Sequence, residues 1–351
     1  MEHRTYIKLP NTFPHNEYFV ERQHLKLKDL RAAAEDFNER NRRAKNSKPS
    51  IRRYIFKENV PPYPQPEFHV SHLKHDTDQV GLEGIKKDGG FKDPGRHQGP
   101  DSLQWWSLAV RPEDIASAET RLLEETYPDW TEEQAQMQQS FLGRFASSPA
   151  FLETSRWGSY RFTLPVEEVL EAYREQFCFG AQPVMRVFET VLYKQRVMYV
   201  VLVHSPASQK YQDYPLLSDD PDAVCVYRDG RFIWRSQAMC ETHSYQVLKR
   251  PDENQMETEQ LFGNEVEFYV WDEVAIALHM EEGQVLKFDD VKLRKYLKIC
   301  NPGNPTLTDN FSAAESLVGR LWPDYPGPLE KERSLQESLA ASPKTEPDCS
   351  D

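Results

Sequence analysis

The sequence is poor in the features that announce the commonest function classes. No apolar run approaches the roughly 20 residues that a membrane-spanning helix needs. The opening Met1-Glu2-His3-Arg4-Thr5 lacks the apolar stretch of a signal peptide. Cysteines number five (Cys178, Cys225, Cys240, Cys300, Cys349), an odd and widely spaced set without a C-x-x-C pair. A disulfide framework or a closed zinc site wants paired spacing, so free thiols in a reducing compartment, the cytoplasm or the nucleus, are expected. Glycines are few, 15 against 25 prolines, and none falls into a G-x-x-x-x-G-K-[ST] loop or a G-x-G-x-x-G turn. H-E-x-x-H and G-x-S-x-G are absent as well. These absences weigh against P-loop enzymes, dinucleotide dehydrogenases, zinc proteases and α/β-hydrolases without excluding catalysis.

What is present is an ordinary globular balance, 38% hydrophobic and 28% charged over 351 residues, enough to bury a sizeable core. The net charge of −13 argues against nucleic-acid binding by the chain as a whole. The charge is unevenly spread. Arg40, Arg42, Arg43, Lys45, Lys48, Arg52, Arg53 and Lys57 fall in one stretch without an acidic residue. Two readings stay open: a solvated helix end with its linker, or an arm that contacts RNA, anionic lipid or an acidic partner.

Texture divides the chain into a basic helical arm and Pro-rich linker (1–66), a mixed α/β core (67–300), a C-terminal extension (301–328) and a disordered acidic tail (329–351). Helix formers over Leu25–Arg43 predict a helix in the arm, and Pro61, Pro62, Pro64 and Pro66 end it. In the core, strands are predicted at 68–71, 103–110, 160–164, 188–193, 197–203, 223–227, 231–234, 242–248 and 265–271. Asp229-Gly230 is a two-residue hairpin signal. Helices are predicted from about Val80 to Gly89, from Pro112 to Leu123, from Thr131 to Phe145, after Pro165, and over 289–298. Helices interrupt rather than alternate with the strands, so the expectation is an α+β fold with a largely antiparallel sheet and inserted helices.

His69, His72 and His75 recur every third residue, but a strand sends 69 and 72 to opposite faces. No carboxylate or thiol completes a metal site there, and no metal is expected. Asp219-Asp220, Asp229, Glu241 and His243 receive no role.

One constellation carries more. Phe68-His69-Val70-Ser71, a helix closing at Gly89-Gly90-Phe91, Trp105-Trp106-Ser107, and Glu267-Phe268-Tyr269-Val270-Trp271-Asp272 follow one another in an order that resembles the ADP-ribosyltransferase fold, in its poly(ADP-ribose) polymerase-like branch. In that family a strand with His and a nearby Ser grips the ribose of NAD, a second strand stacks an aromatic on nicotinamide, and a late E-Y-x-V-Y-D strand brings the catalytic glutamate. The resemblance implies NAD as substrate, His69 and Ser71 on the adenosine ribose, Trp105 or Trp106 in the stacking place, and Glu267 as the catalytic carboxylate. Glu265 competes with it, because Glu265-Val266-Glu267 imitates the E-x-E of the arginine-modifying branch. Breaking the nicotinamide bond builds positive charge on the ribose, which a carboxylate stabilises. The sequence departs from the pattern at Val70, where the family has glycine, and in carrying Trp where Tyr is usual. A pseudoenzyme on the same fold is therefore an equal expectation to an enzyme that modifies a protein or nucleic acid. The stretch from Trp105-Trp106 through Tyr160-Arg161-Phe162-Thr163 to Phe268–Asp272 also resembles fish virus- and interferon-induced antiviral families, which implies innate antiviral defence. The alternative is a non-enzymatic interaction protein that recruits RNA or an acidic partner through residues 40–57.

Overall fold

A continuous apolar run is the signature of a strand covered on both sides, and the strand at the middle of the molecule, Glu273–His279, is buried at every position. The computed structural model describes residues 7–8, 17–20, 66–93, 102–129, 131–133, 140, 142–145, 150–151, 155, 158–193, 196–219, 224–236, 238–239, 245–250, 255–260, 270–271, 273–300 and 311–325. In chain order the strands are β1 (Ile7–Lys8), β2 (Glu17–Val20), β3 (Glu67–Val70), β4 (His72–Thr77), β5 (Gly90–Phe91), β6 (Leu103–Leu108), β7 (Tyr160–Pro165), β8 (Val184–Tyr193) and β9 (Arg196–His204). They continue as β10 (Cys225–Arg228), β11 (Arg231–Arg235), β12 (Ala238–Met239), β13 (Tyr245–Arg250), β14 (Gln255–Gln260), β15 (Val270–Trp271), β16 (Glu273–His279), β17 (Leu286–Lys287) and β18 (Leu297–Ile299). The helices are α1 (Gln79–Asp88), α2 (Pro112–Thr126), α3 (Val166–Phe177), α4 (Asp290–Tyr296) and α5 (Phe311–Leu321).

The fold is α+β. Nine strands form one sheet in the order β1-β2-β8-β9-β16-β6-β4-β7-β18. Every pairing in it is antiparallel except β9 with β16, where Glu273–Leu278 run alongside Met198–Val203. Three strands, β10-β11-β3, make a second sheet. Its hairpin turns at Asp229 (φ 50°) and Gly230 (φ 75°), the two left-handed positions that a tight two-residue connection requires.

Alternation assigns the faces. Tyr199, Val201 and Val203, Val274, Ile276 and Leu278, and Trp106 and Leu108 enter one large core. All five helices among the described residues press apolar residues into that core, for example Leu82, Ile115, Tyr173, Leu293 and Leu317. So does the small sheet, through Phe68, Val70, Phe232 and Trp234. The opposite face carries Val200, Leu202, Ala275 and Ala277 under Tyr211; there the alanines leave room for the phenol ring. A bonded triad fastens this cover: Arg186 Nε donates to His204 Nε2 at 2.9 Å, and Arg186 Nη1 donates to the Tyr214 carbonyl. At the far edge Trp322, just after α5, donates its indole N–H to Asp290 at 2.9 Å while the Lys86 ammonium sits 4.8 Å above the ring.

Several expectations meet the structure differently. Residues 7–8 and 17–20 fall in the stretch read as an arm, yet they extend the large sheet, 17–20 pairing with β8 and 7–8 with 17–20. β4 was not foreseen, and neither was β16. Leu25–Arg43, the basic run 40–57 and the tail from 329 lie outside the described residues, as do 134–139 and 141 of the helix expected over 131–145, whose end Leu142–Phe145 is a 3-10 turn. No described helix is long and apolar enough to cross a membrane.

Candidate functional site

The strand that leads into α1 is β4, not β3. Asp78 starts the helix by accepting the Gly81 N–H at 2.8 Å, and Gly89 ends it at φ 71° with its N–H on the Ile85 carbonyl. This is the left-handed cap that glycine takes without a Cβ penalty. Gly90 then passes so close to β17 that a Cβ there would collide with the Leu286 carbonyl. The tight turn delivers Phe91 into the core against His75, Trp106 and Phe162.

His75 projects from β4 into that aromatic nest. Its centroid lies 5.1 Å from Phe91 and 5.5 Å from Trp106. The Nδ1–H donates to the Trp105 carbonyl at 2.8 Å, which fixes the tautomer with Nε2 unprotonated. Burial pushes the imidazole below its ordinary range, so the ring is neutral. Gln104, fully buried beside it, gives its amide N–H to the same carbonyl at 3.2 Å.

The two indoles diverge, as adjacent strand residues must. Trp106 stands opposite Ile276 and is buried in the main core. Trp105 stands opposite Ala277 and is half-buried on the other face, beside Leu202 and Tyr211. Only one indole can therefore face any one groove.

His69 belongs to the small sheet, opposite Ile233. Its Nε2 pairs with Glu67 Oε1 at 2.9 Å, and Glu67 also holds Arg235 at 3.0 Å. Burial would raise the Glu67 carboxyl, but its bonds to His69 and Arg235 outweigh that and hold it below the usual value. None of the ring or polar contacts described for His69 reaches an indole. Ser71 sits where the chain passes from the small sheet to the large one; its hydroxyl meets His72 Nδ1 at 3.0 Å and Arg111 Nη2 at 3.4 Å. Glu267 and Glu265 lie outside the described residues. Immediately after them, β15 pairs with β12, Trp271 against Ala238.

The far face of β4, β6, β7 and β16 carries charge that composition alone did not reveal as buried. Arg161 and Asp76 stand opposite one another on β7 and β4 and form a two-pronged pair, Nε to Oδ1 at 2.5 Å and Nη2 to Oδ2 at 2.8 Å. Lys74 is buried on the same face, and its ammonium reaches the Ala150 carbonyl at 3.3 Å. Ser107 donates to the buried Glu273 at 3.4 Å. This seam is satisfied internally and reads as a structural lock. Among the described residues no group of three or more His, Cys, Asp or Glu side chains is placed to hold a metal ion.

The sequence reading named His75 only among three evenly spaced histidines set aside as a metal site. The signal for its place was the segment directly preceding the α1 cap, with Asp78 and Gly89 bracketing the helix. Comparison with protein-family models, with curated proteins and with solved structures finds no match for this chain.

Proposed function

We propose that this chain is an ADP-ribosyltransferase-like protein that does not transfer ADP-ribose and acts by binding. The order of strand, helix, glycine-bounded turn and strand in β4, α1, Gly89-Gly90-Phe91 and β6 supports the likeness. An imidazole on the first strand and an indole on the second are in contact, His75 with Trp106. In this reading His75 stands where the resemblance expects the ribose-gripping histidine.

The observation that supports the absence of catalysis is the crowding around that histidine. Its Nδ1–H is spent on a backbone carbonyl, Phe91 and Trp106 stand against the ring, and it is only partly exposed. A sugar would meet aromatic carbon there before a free ring nitrogen.

Incubation of the full chain with labelled NAD tests this. The expected outcome is no label on protein or nucleic acid and no release of nicotinamide. NAD-dependent labelling that disappears in Glu267→Gln would overturn the proposal and restore the transferase.

A further inference from the structure

A groove of about 1010 Å3 runs beside α3. Its floor is apolar, with Leu170, Met185, Leu217 and Phe288 contributing. One wall is a row of carboxylates on α3, Glu167, Glu171 and Glu175, spaced by four so that they share one helix face. All three are exposed. Of the three cations that line the groove, Arg174 is bonded to Glu171 and Glu175 at 2.5 and 3.0 Å, and Lys292 to Glu168 at 2.9 Å. Glu167 has no hydrogen-bond or ion-pair partner among the described residues. It lies over Gly230, where a Cβ would strike its carboxylate. Together with burial, its charge pushes the neighbouring Tyr227 phenol up.

Two apolar residues stand out in solvent. Leu216 on the lining is 38% exposed, and Phe179, in the turn after α3 and not itself on the lining, is 93% exposed. Phe179 also holds φ at +54°, a left-handed backbone that a bulky aromatic adopts only under constraint.

We propose that this groove docks a basic, apolar-anchored segment of a protein partner. Lys or Arg side chains of the segment face the α3 carboxylates, an apolar residue rests on the floor by Leu217 and Phe288, and Phe179 closes over it. The carboxylate row repels nucleic acid and anionic membrane alike, so charge selects a cationic polypeptide. The inference stands apart from the ADP-ribosyltransferase-like reading, and its test does not involve NAD.

Fluorescence anisotropy on the full chain provides the test, with a labelled alternating Lys-Leu dodecapeptide as probe. A Glu-Leu dodecapeptide and a single-stranded RNA of equal length serve as comparisons. Saturable binding of the Lys-Leu probe is expected, falling about tenfold in Glu167→Gln/Glu171→Gln/Glu175→Gln and several-fold in Phe179→Ser. It should be unchanged in Glu83→Gln/Glu282→Gln, which removes exposed carboxylates elsewhere, and circular dichroism establishes that each variant is folded. The proposal is overturned if the Lys-Leu probe fails to saturate, if the triple variant binds it as wild type does, or if either comparison probe binds in a way that the triple variant abolishes. A peptide of residues 40–57 that binds where the Lys-Leu probe does not would assign the groove to the chain itself and would equally overturn it.

Discussion

Replacing Arg161 by Ala should cost this protein far more than the loss of an ordinary ion pair. The guanidinium is 2% exposed and its partner Asp76 15%, with two hydrogen bonds holding them face to face across neighbouring strands. Burial alone would raise the Asp76 carboxyl. The charge and hydrogen bonds of Arg161 overcome that and hold it below the ordinary carboxylate range. Truncating the arginine strands a carboxylate in the sheet interior, at an expected cost of about 3–5 kcal/mol, against about 0–1 kcal/mol for a pair on the surface. Urea unfolding followed by tryptophan fluorescence measures this directly. The pH dependence gives a second signature. In wild type the Asp76 contribution is present above the unfolded carboxyl value and is lost as pH falls through the depressed folded value. In Arg161→Ala the folded carboxyl rises above the unfolded one, so this group makes stability increase as pH falls. Asp76→Leu/Arg161→Leu should recover part of the loss, because neither member of the pair is left without the other, while the buried Lys74 loses the Asp76 charge beside it. A loss below about 1 kcal/mol in Arg161→Ala, or a double variant as unstable as the single one, would refute the reasoning.

Burial also holds the imidazoles of His72, His75 and His204 below their ordinary range. The unfolded chain takes up those protons first, so the midpoint of urea unfolding should drop between about pH 7 and pH 5, and His204→Gln should flatten that drop. Gly90→Ala sets a methyl group against the Leu286 carbonyl and the Lys287 backbone. It should cost about 1–3 kcal/mol and selectively loosen hydrogen-exchange protection of β5 and β17.

Local signals read well where they are self-contained. The Gly89 end of α1, Pro112 at the start of α2, and the Asp229-Gly230 hairpin each state their geometry within a few residues. The β8–β9 pair was legible through its flanking turn. β4 was not, because His72-Leu73-Lys74-His75-Asp76-Thr77 has the composition of a solvated loop. Its polarity becomes tolerable only when Arg161 and the Ala150 carbonyl arrive from elsewhere in the chain. β16 hid for the opposite reason. Glu-Val-Ala-Ile-Ala-Leu-His has no alternation, since both faces are covered, and only the assembled sheet distinguishes it from a buried helix turn. The candidate site inherits both difficulties. With β4 unread, His75 was not weighed beside His69, and the adjacent indoles could not be told apart without the register that sets Trp106 against Ile276.

The parallel contact between β9 and β16 sets a condition on how the chain reaches its native state. Parallel neighbours need a long crossover, and here residues 205–272 must be made and gathered before Glu273–His279 can enter. Until then β9 and β6 each present an unpaired backbone edge to the other across an empty slot. A nascent or truncated chain that stops short of residue 273 therefore carries two open templates for strand addition by other molecules. The late insertion of β16 is what closes both templates.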